Sequence, residues 1–260
     1  MHPIVLSLFS MILTLGCAAP RPVNPAFAVT PGDASKMIDQ MKREPKRLSR
    51  PVLVIGGYND PGIGCGVVRS QIIDATGDKR VISVSLATCR NFNECRERVI
   101  AAVDRAFPTA NDKLTTEVDV VGVSMGGLVA RYASEADGDK KQLRIARLFT
   151  LSSPLRGASA ASLPTFNKLQ IDMRLGSPFL KQVNATKPAY PVYPYVRLGD
   201  NIVGAQNASP PGENPIWVSN LTLQPPHSFS VFDPRIIGDI TRRLRAEPPL
   251  SNEVRAPLPM

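Results

Sequence analysis

Thr116-Glu117-Val118-Asp119-Val120-Val121-Gly122-Val123-Ser124-Met125-Gly126-Gly127-Leu128-Val129-Ala130-Arg131-Tyr132 is the stretch that decides how this chain is read. Val118, Val120, Val121 and Val123 form a short β-branched run, which suits a buried strand better than a helix. From Leu128 the composition turns to residues compatible with a helix. Glycines at 122, 126 and 127 crowd the junction, where a tightly turning, closely packed backbone has no room for Cβ atoms. The pattern is strand, sharp turn and helix, with Ser124 at the turn. Ser124 then stands at the C-terminal end of the strand. The N–H of Met125, at the start of the helix, points toward a site where an oxyanion can develop. A serine that merely caps the helix is the plain alternative, so its partners must decide.

A nucleophilic serine needs a general base and a carboxylate to orient that base. The chain has two histidines, His2 and His227, and His2 lies in a segment expected to be removed. The base is therefore expected to be His227, in the turn-rich loop Gln224-Pro225-Pro226-His227-Ser228-Phe229. For the acid, residues 193–198 read as a strand followed by Gly199-Asp200-Asn201-Ile202-Val203-Gly204. Asp200 sits at that turn and is preferred, although an aspartate there also suits a simple Asx turn. Asp233 competes, but before Pro234 it reads as a helix N-cap. A second oxyanion donor is expected in Pro51-Val52-Leu53-Val54-Ile55-Gly56-Gly57-Tyr58-Asn59-Asp60-Pro61-Gly62, where an apolar strand runs into a glycine-rich loop. The backbone N–H of Tyr58 is assigned this role, with Gly57 as the alternative.

These residues resemble the lipase and esterase branch of the α/β-hydrolase superfamily, particularly bacterial triacylglycerol lipases and GPI-inositol-deacylase-like proteins. The resemblance is carried by four pieces. They are Gly122-Val123-Ser124-Met125-Gly126-Gly127, Ile55-Gly56-Gly57-Tyr58, Leu151-Ser152-Ser153-Pro154-Leu155-Arg156-Gly157-Ala158 and Gly199-Asp200-Asn201-Ile202-Val203. The chain order Ser, Asp, His is also that of α/β-hydrolases. Such lipases often carry His before the serine and His-Gly in the early loop, where this chain has Val123 and Gly56. The resemblance implies hydrolysis of carboxylic esters, with an ester or lipid substrate and without a metal or organic cofactor. Two other classes stay open. One is a non-catalytic, envelope-associated binding protein on the same fold; the other is a hydrolase of amides, thioesters or glycolipid esters.

With 260 residues and 43% hydrophobic content, one α/β domain with a sizeable core is expected. The expected class is a doubly wound, mostly parallel sheet with flanking helices. Its strands are expected at 52–55, 81–86, 118–123, 145–151 and 193–198, and its helices near 67–75, 95–107, 127–135 and 234–245. The insertion 156–191 reads either as a small helical cap over an acyl pocket or as ordinary packing for two helices. Residues 1–17 read as an export signal, 18–47 as a tether with a basic lead-in, 48–247 as the α/β-hydrolase domain and 248–260 as a flexible tail; the basic stretch 36–50 can add a helix before the first core strand. Cys17 in Gly16-Cys17-Ala18 is similar to a bacterial lipobox junction, which predicts a lipidated, membrane-associated envelope protein. Ala26-Phe27-Ala28 offers conventional cleavage and secretion instead. The net charge of +9 is spread along the chain without a recognised nucleic-acid-binding module, so nucleic acid is not an expected partner. Oligomeric state is not legible. Cys65, Cys89 and Cys95 allow three single pairings in an exported chain, with Cys89–Cys95 favoured by proximity.

Overall fold

Six strands, β1 (Val52–Ile55), β2 (Val81–Val84), β3 (Val118–Val123), β4 (Ile145–Leu151), β5 (Val192–Arg197) and β6 (Ile216–Val218), form one parallel sheet in the computed structural model. The structure describes residues 21–221 and 223–259. Strand order is β2-β1-β3-β4-β5-β6. The chain therefore runs outward from β1 to β2 and returns to the other side of β1 as β3. Reversal of this kind opens a crevice beyond the C-terminal strand ends, where α/β sheets place their ligands.

The strands alternate their side chains between two apolar layers, as the two-residue period of a strand requires. On one face Leu53, Ile55, Val120 and Leu148 pack with helices α3 (Phe92–Ala106) and α4 (Met125–Ala133). On the other, Val52, Val54, Val121, Phe149 and Tyr195 pack with α2 (Ile63–Thr76) and α7 (Pro234–Leu244). Because both faces are covered, β1 and β3 read as nearly unbroken apolar runs. A further helix, α1 (Pro31–Arg43), lies against α2 and α7. The insertion after β4 contributes two short helices, α5 (Lys168–Asp172) and α6 (Pro178–Val183).

The expected doubly wound sheet is present, and β1, β3 and β4 have the expected bounds. Several boundaries move for identifiable reasons. Strand β2 ends at Val84, and β6 was not anticipated. Helix α2 begins at Ile63 directly after Gly62, whose φ of 110° is left-handed. Helix α3 begins at Phe92 because the Asn91 side chain accepts the Glu94 N–H and caps it.

The tether and tail depart more sharply from expectation. The helix read as an option for 36–50 is present but starts earlier, within the expected tether, and spans residues 31–43 with Thr30 as N-cap and Pro31 as first residue. Before them, Asn24 donates from Nδ2 to the Trp217 carbonyl at 2.6 Å. The tail is not free either. The Ser251 N–H donates to Asp239 Oδ1 at 2.9 Å, and Trp217 Nε1 donates to the Pro257 carbonyl at 2.9 Å. Contacts with residues distant in sequence hold both ends, and local composition does not reveal such contacts. The export signal, His2 and Cys17 lie outside the described residues.

Candidate active site

The serine turn is built by close approach. A Cβ on Gly122 would sit 2.5 Å from the Gly127 Cα, and one on Gly126 would collide with the Ile55 carbonyl oxygen. Only hydrogen fits at these places, so α4 can start directly against β1 and β3. Ser124 takes φ 49° and ψ −123°, a strained conformation for a residue with a side chain. Its N–H donates to the Leu151 carbonyl at 2.8 Å, and its carbonyl accepts the Gly127 N–H at 3.2 Å. The strand and helix on either side thus hold the serine in place. Met125, buried, is the first residue of α4 and follows Ser124 directly.

Ser124, His227 and Asp200 come together although they lie on three separate loops. His227 Nε2 is 3.0 Å from Ser124 Oγ, and His227 Nδ1 is 2.9 Å from Asp200 Oδ2. Asp200 lies in the turn after β5, where its Oδ1 accepts the N–H groups of Ile202 at 3.0 Å and Val203 at 3.1 Å. One carboxylate oxygen therefore fixes the loop and the other faces the imidazole. Burial pushes the Asp200 carboxyl up, but the hydrogen bond and charge of His227, with the Val203 amide, hold it below the usual carboxylate value. An ionised Asp200 accepts the proton on Nδ1, which leaves the Nε2 lone pair for the serine hydroxyl.

Asp233 is elsewhere in role. It caps α7 by accepting the Arg235 N–H, and its carboxylate binds the Arg235 guanidinium, with Arg197 Nε 3.3 Å away. Arg197 also donates to Gln224 Oε1 at 2.6 Å, linking the end of β5 to the loop that carries His227.

The loop after β1 lies against the serine. A Cβ on Gly57 would stand 3.7 Å from Ser124 Oγ. Tyr58 follows Gly57 and packs its side chain against the core. Asp60 shapes this loop by accepting the N–H groups of Gly62, Gly64 and Cys65 at 2.9, 3.1 and 3.0 Å. Burial raises the Asp60 carboxyl, yet these three donors bring it below the usual value. Sequence reading missed Asp60 and the Arg197–Gln224 link. The Asp60-Pro61-Gly62 turn was a usable signal for the first; the second joins residues with no local pattern.

Half-way along the chain, residues 86–175, the sequence is similar to the PGAP1-like alpha/beta domain. That span takes in the serine turn and β4. Among solved structures, the mature form of the Bacillus licheniformis lipase BlEst2 superposes with a TM-score of 0.56 at 14% identity, covering 77% of this chain and 94% of that one. The fold is that of the α/β-hydrolases. Est1E from Butyrivibrio proteoclasticus shares this α/β-hydrolase fold with a TM-score of 0.50 at 16% identity, covering 79% of this chain and 92% of its own. The lin2722 product of Listeria innocua gives 0.50 at 14% identity, with 74% and 92% covered. No curated protein matches by sequence.

Two further expectations meet the α/β-hydrolase framework differently. The Cys89–Cys95 bridge is absent: Cys65, Cys89 and Cys95 are free, buried thiols. Cys89 is held by a turn in which its N–H donates to the Leu86 carbonyl, and Cys95 by the first turn of α3 through Asn91. Cys89 neighbours the Cys95 thiol, and burial, reinforced by Cys89, raises the pKa of Cys95 strongly. Burial and the neighbouring Asp60 likewise raise the Cys65 thiol to about 12, so it is a poor nucleophile. In the insertion, Leu169, Met173, Leu180 and Val183 are buried in the core, and Phe179 stacks on Phe92 with ring centroids 3.9 Å apart. That favours helix packing for α5 and α6, while Leu163, Phe166 and Leu175 remain exposed.

Proposed function

We propose that this protein is a serine hydrolase that cleaves carboxylic esters of the lipase and esterase type through an acyl-enzyme. The observation that carries this reading is the continuous line Ser124 Oγ, His227 Nε2, His227 Nδ1 and Asp200 Oδ2, with separations of 3.0 and 2.9 Å. Its position beyond the strand ends, at the reversal of strand order, is where an α/β sheet presents a site.

In the first half of the reaction His227 Nε2 removes the proton from Ser124 as Oγ bonds to the ester carbonyl carbon. The carbonyl oxygen becomes an oxyanion, received by the N–H groups of Met125 and Tyr58. Collapse of this intermediate breaks the bond to the alcohol, which leaves with the proton from His227. Water then attacks the acyl group on Ser124, giving its proton to His227; collapse breaks the acyl–Oγ bond, His227 returns that proton to Ser124 Oγ, and the carboxylic acid departs. Asp200 stays ionised and orients the imidazolium throughout. Export, with membrane attachment through a lipidated Cys17, completes the proposal. Metabolic labelling with a fatty-acid analogue should mark wild-type protein and not Cys17→Ser; equal labelling would remove the anchor.

The catalytic reading is tested with a fluorophosphonate probe and a series of p-nitrophenyl esters of increasing chain length. Wild-type protein should label and hydrolyse at least one ester, and Ser124→Ala should do neither. Labelling that persists in Ser124→Ala, or a folded wild type inert toward the whole series, would overturn it.

A further inference from the structure

Ser152, directly after β4, combines two costly features. Its φ of 49° lies in the left-handed region that side chains rarely adopt, and its Oγ is buried without a hydrogen-bond partner. The residue is 1% exposed, so bulk solvent does not reach it. Its place in the sheet suggests why such a residue is kept. Strand β4 lies between β3, which leads into Ser124, and β5, which leads to Asp200. The Leu151 carbonyl accepts the Ser124 N–H, and the next residue, Ser152, donates its own N–H to the Tyr195 carbonyl at 2.8 Å. Ser152 therefore sits at the junction of the strands that carry the nucleophile and the acid.

A carboxylate offers about four acceptor positions. Asp200 uses three, for the N–H groups of Ile202 and Val203 and for His227 Nδ1. We propose that Ser152 is a positioning residue for Asp200, its hydroxyl supplying the fourth hydrogen bond to the carboxylate as His227 becomes charged. This rests on the proposed roles of Ser124, His227 and Asp200. An unpartnered buried donor and an unfilled acceptor position on a buried carboxylate satisfy each other. Ser152 makes no hydrogen bond to Asp200 in this arrangement, yet its hydroxyl is one of the groups near enough to favour the charged carboxylate, after His227 and the Val203 amide. In the reaction, that donation keeps the shared proton on Nδ1 of His227 and fixes the plane of the carboxylate. No covalent step involves Ser152.

Two variants separate the hydroxyl from the backbone strain. Ser152→Ala removes the hydroxyl and keeps the strain, whereas Ser152→Gly removes the hydroxyl and tolerates the positive φ. Both should lower kcat roughly tenfold, the scale of one hydrogen bond to a charged group, with KM nearly unchanged. The acid limb of the kcat/KM profile should move to higher pH in both, because an Asp200 with one donor fewer binds the imidazolium more strongly. Ser152→Gly should melt no lower than wild type. Should Ser152→Gly keep wild-type kcat and a wild-type acid limb, Ser152 has no positioning role. A wild-type protein that neither labels with fluorophosphonate nor hydrolyses esters would instead overturn the reading of the site, and the role of Ser152 with it.

Discussion

The turn after β5 and the turn before α7 each bury an aspartate at 3% exposure, and their fates differ because their partners differ. Asp233 is bound by the Arg235 guanidinium and flanked by Arg197 Nε, two permanent cations, while it caps α7. Asp200 is held by backbone N–H groups on one oxygen and meets an imidazole on the other. A carboxylate committed to guanidinium groups anchors structure. One facing an imidazole can respond as the proton on that ring moves. The two turns are still coupled, because Arg197 bridges from Asp233 to Gln224 in the His227 loop. Asp233 thus helps to place His227 without touching it.

The largest expected effect that separates the two turns is on turnover. Asp200→Asn should lower kcat by on the order of 10⁴-fold, because the amide fails to hold the required His227 tautomer. Its thermal melt should change far less than its kcat, and steady-state kinetics beside calorimetry will measure both. Asp233→Ala should show the reverse balance. It removes an N-cap and leaves Arg197 and Arg235 buried without their counter-charge, which costs about 3–5 kcal/mol in urea unfolding. Turnover of its folded fraction should stay much nearer to wild type than that of Asp200→Asn. If Asp233→Ala instead loses turnover at unchanged stability, the two aspartates have been assigned the wrong way round.

The smallest effect is on the pH dependence of stability. The pKa of Asp200 is depressed in the folded state, so its stabilisation is full above the ordinary value of 3.8 and is lost as pH falls through the folded value. Wild-type unfolding free energy should therefore fall more steeply than that of Asp200→Asn as pH drops from about 4 toward about 2. Parallel slopes in the two proteins would show that Asp200 carries no such stabilisation.

The same contrast accounts for what sequence could disclose. The strands at 118–123 and 145–151 were legible because valine, leucine and isoleucine run through them and both faces of the sheet are buried. Ser124 was legible because glycines are required where α4 meets β1 and β3. Asp233 before Pro234 announced a cap by local chemistry alone. Strand β6 was hidden, since three residues set among proline, asparagine and serine make no periodic pattern. The packed tether and tail were hidden for a different reason. Asn24 reaches Trp217, Ser251 reaches Asp239 and the Pro257 carbonyl reaches Trp217, and the Pro-rich composition around Asn24, Ser251 and Pro257 suggested loose chain. Ser152 lay in plain view within Leu151-Ser152-Ser153-Pro154, but its left-handed backbone and unpartnered hydroxyl exist only once three strands align.

The central claim is that Ser124 becomes acylated. Acid-quenching the reaction of wild-type protein with a p-nitrophenyl ester, followed by peptide mass mapping, tests it directly. The acyl mass should appear on the peptide containing Ser124 and be absent from Ser124→Ala. An acyl group found on another residue, or turnover continuing in Ser124→Ala, would contradict the account.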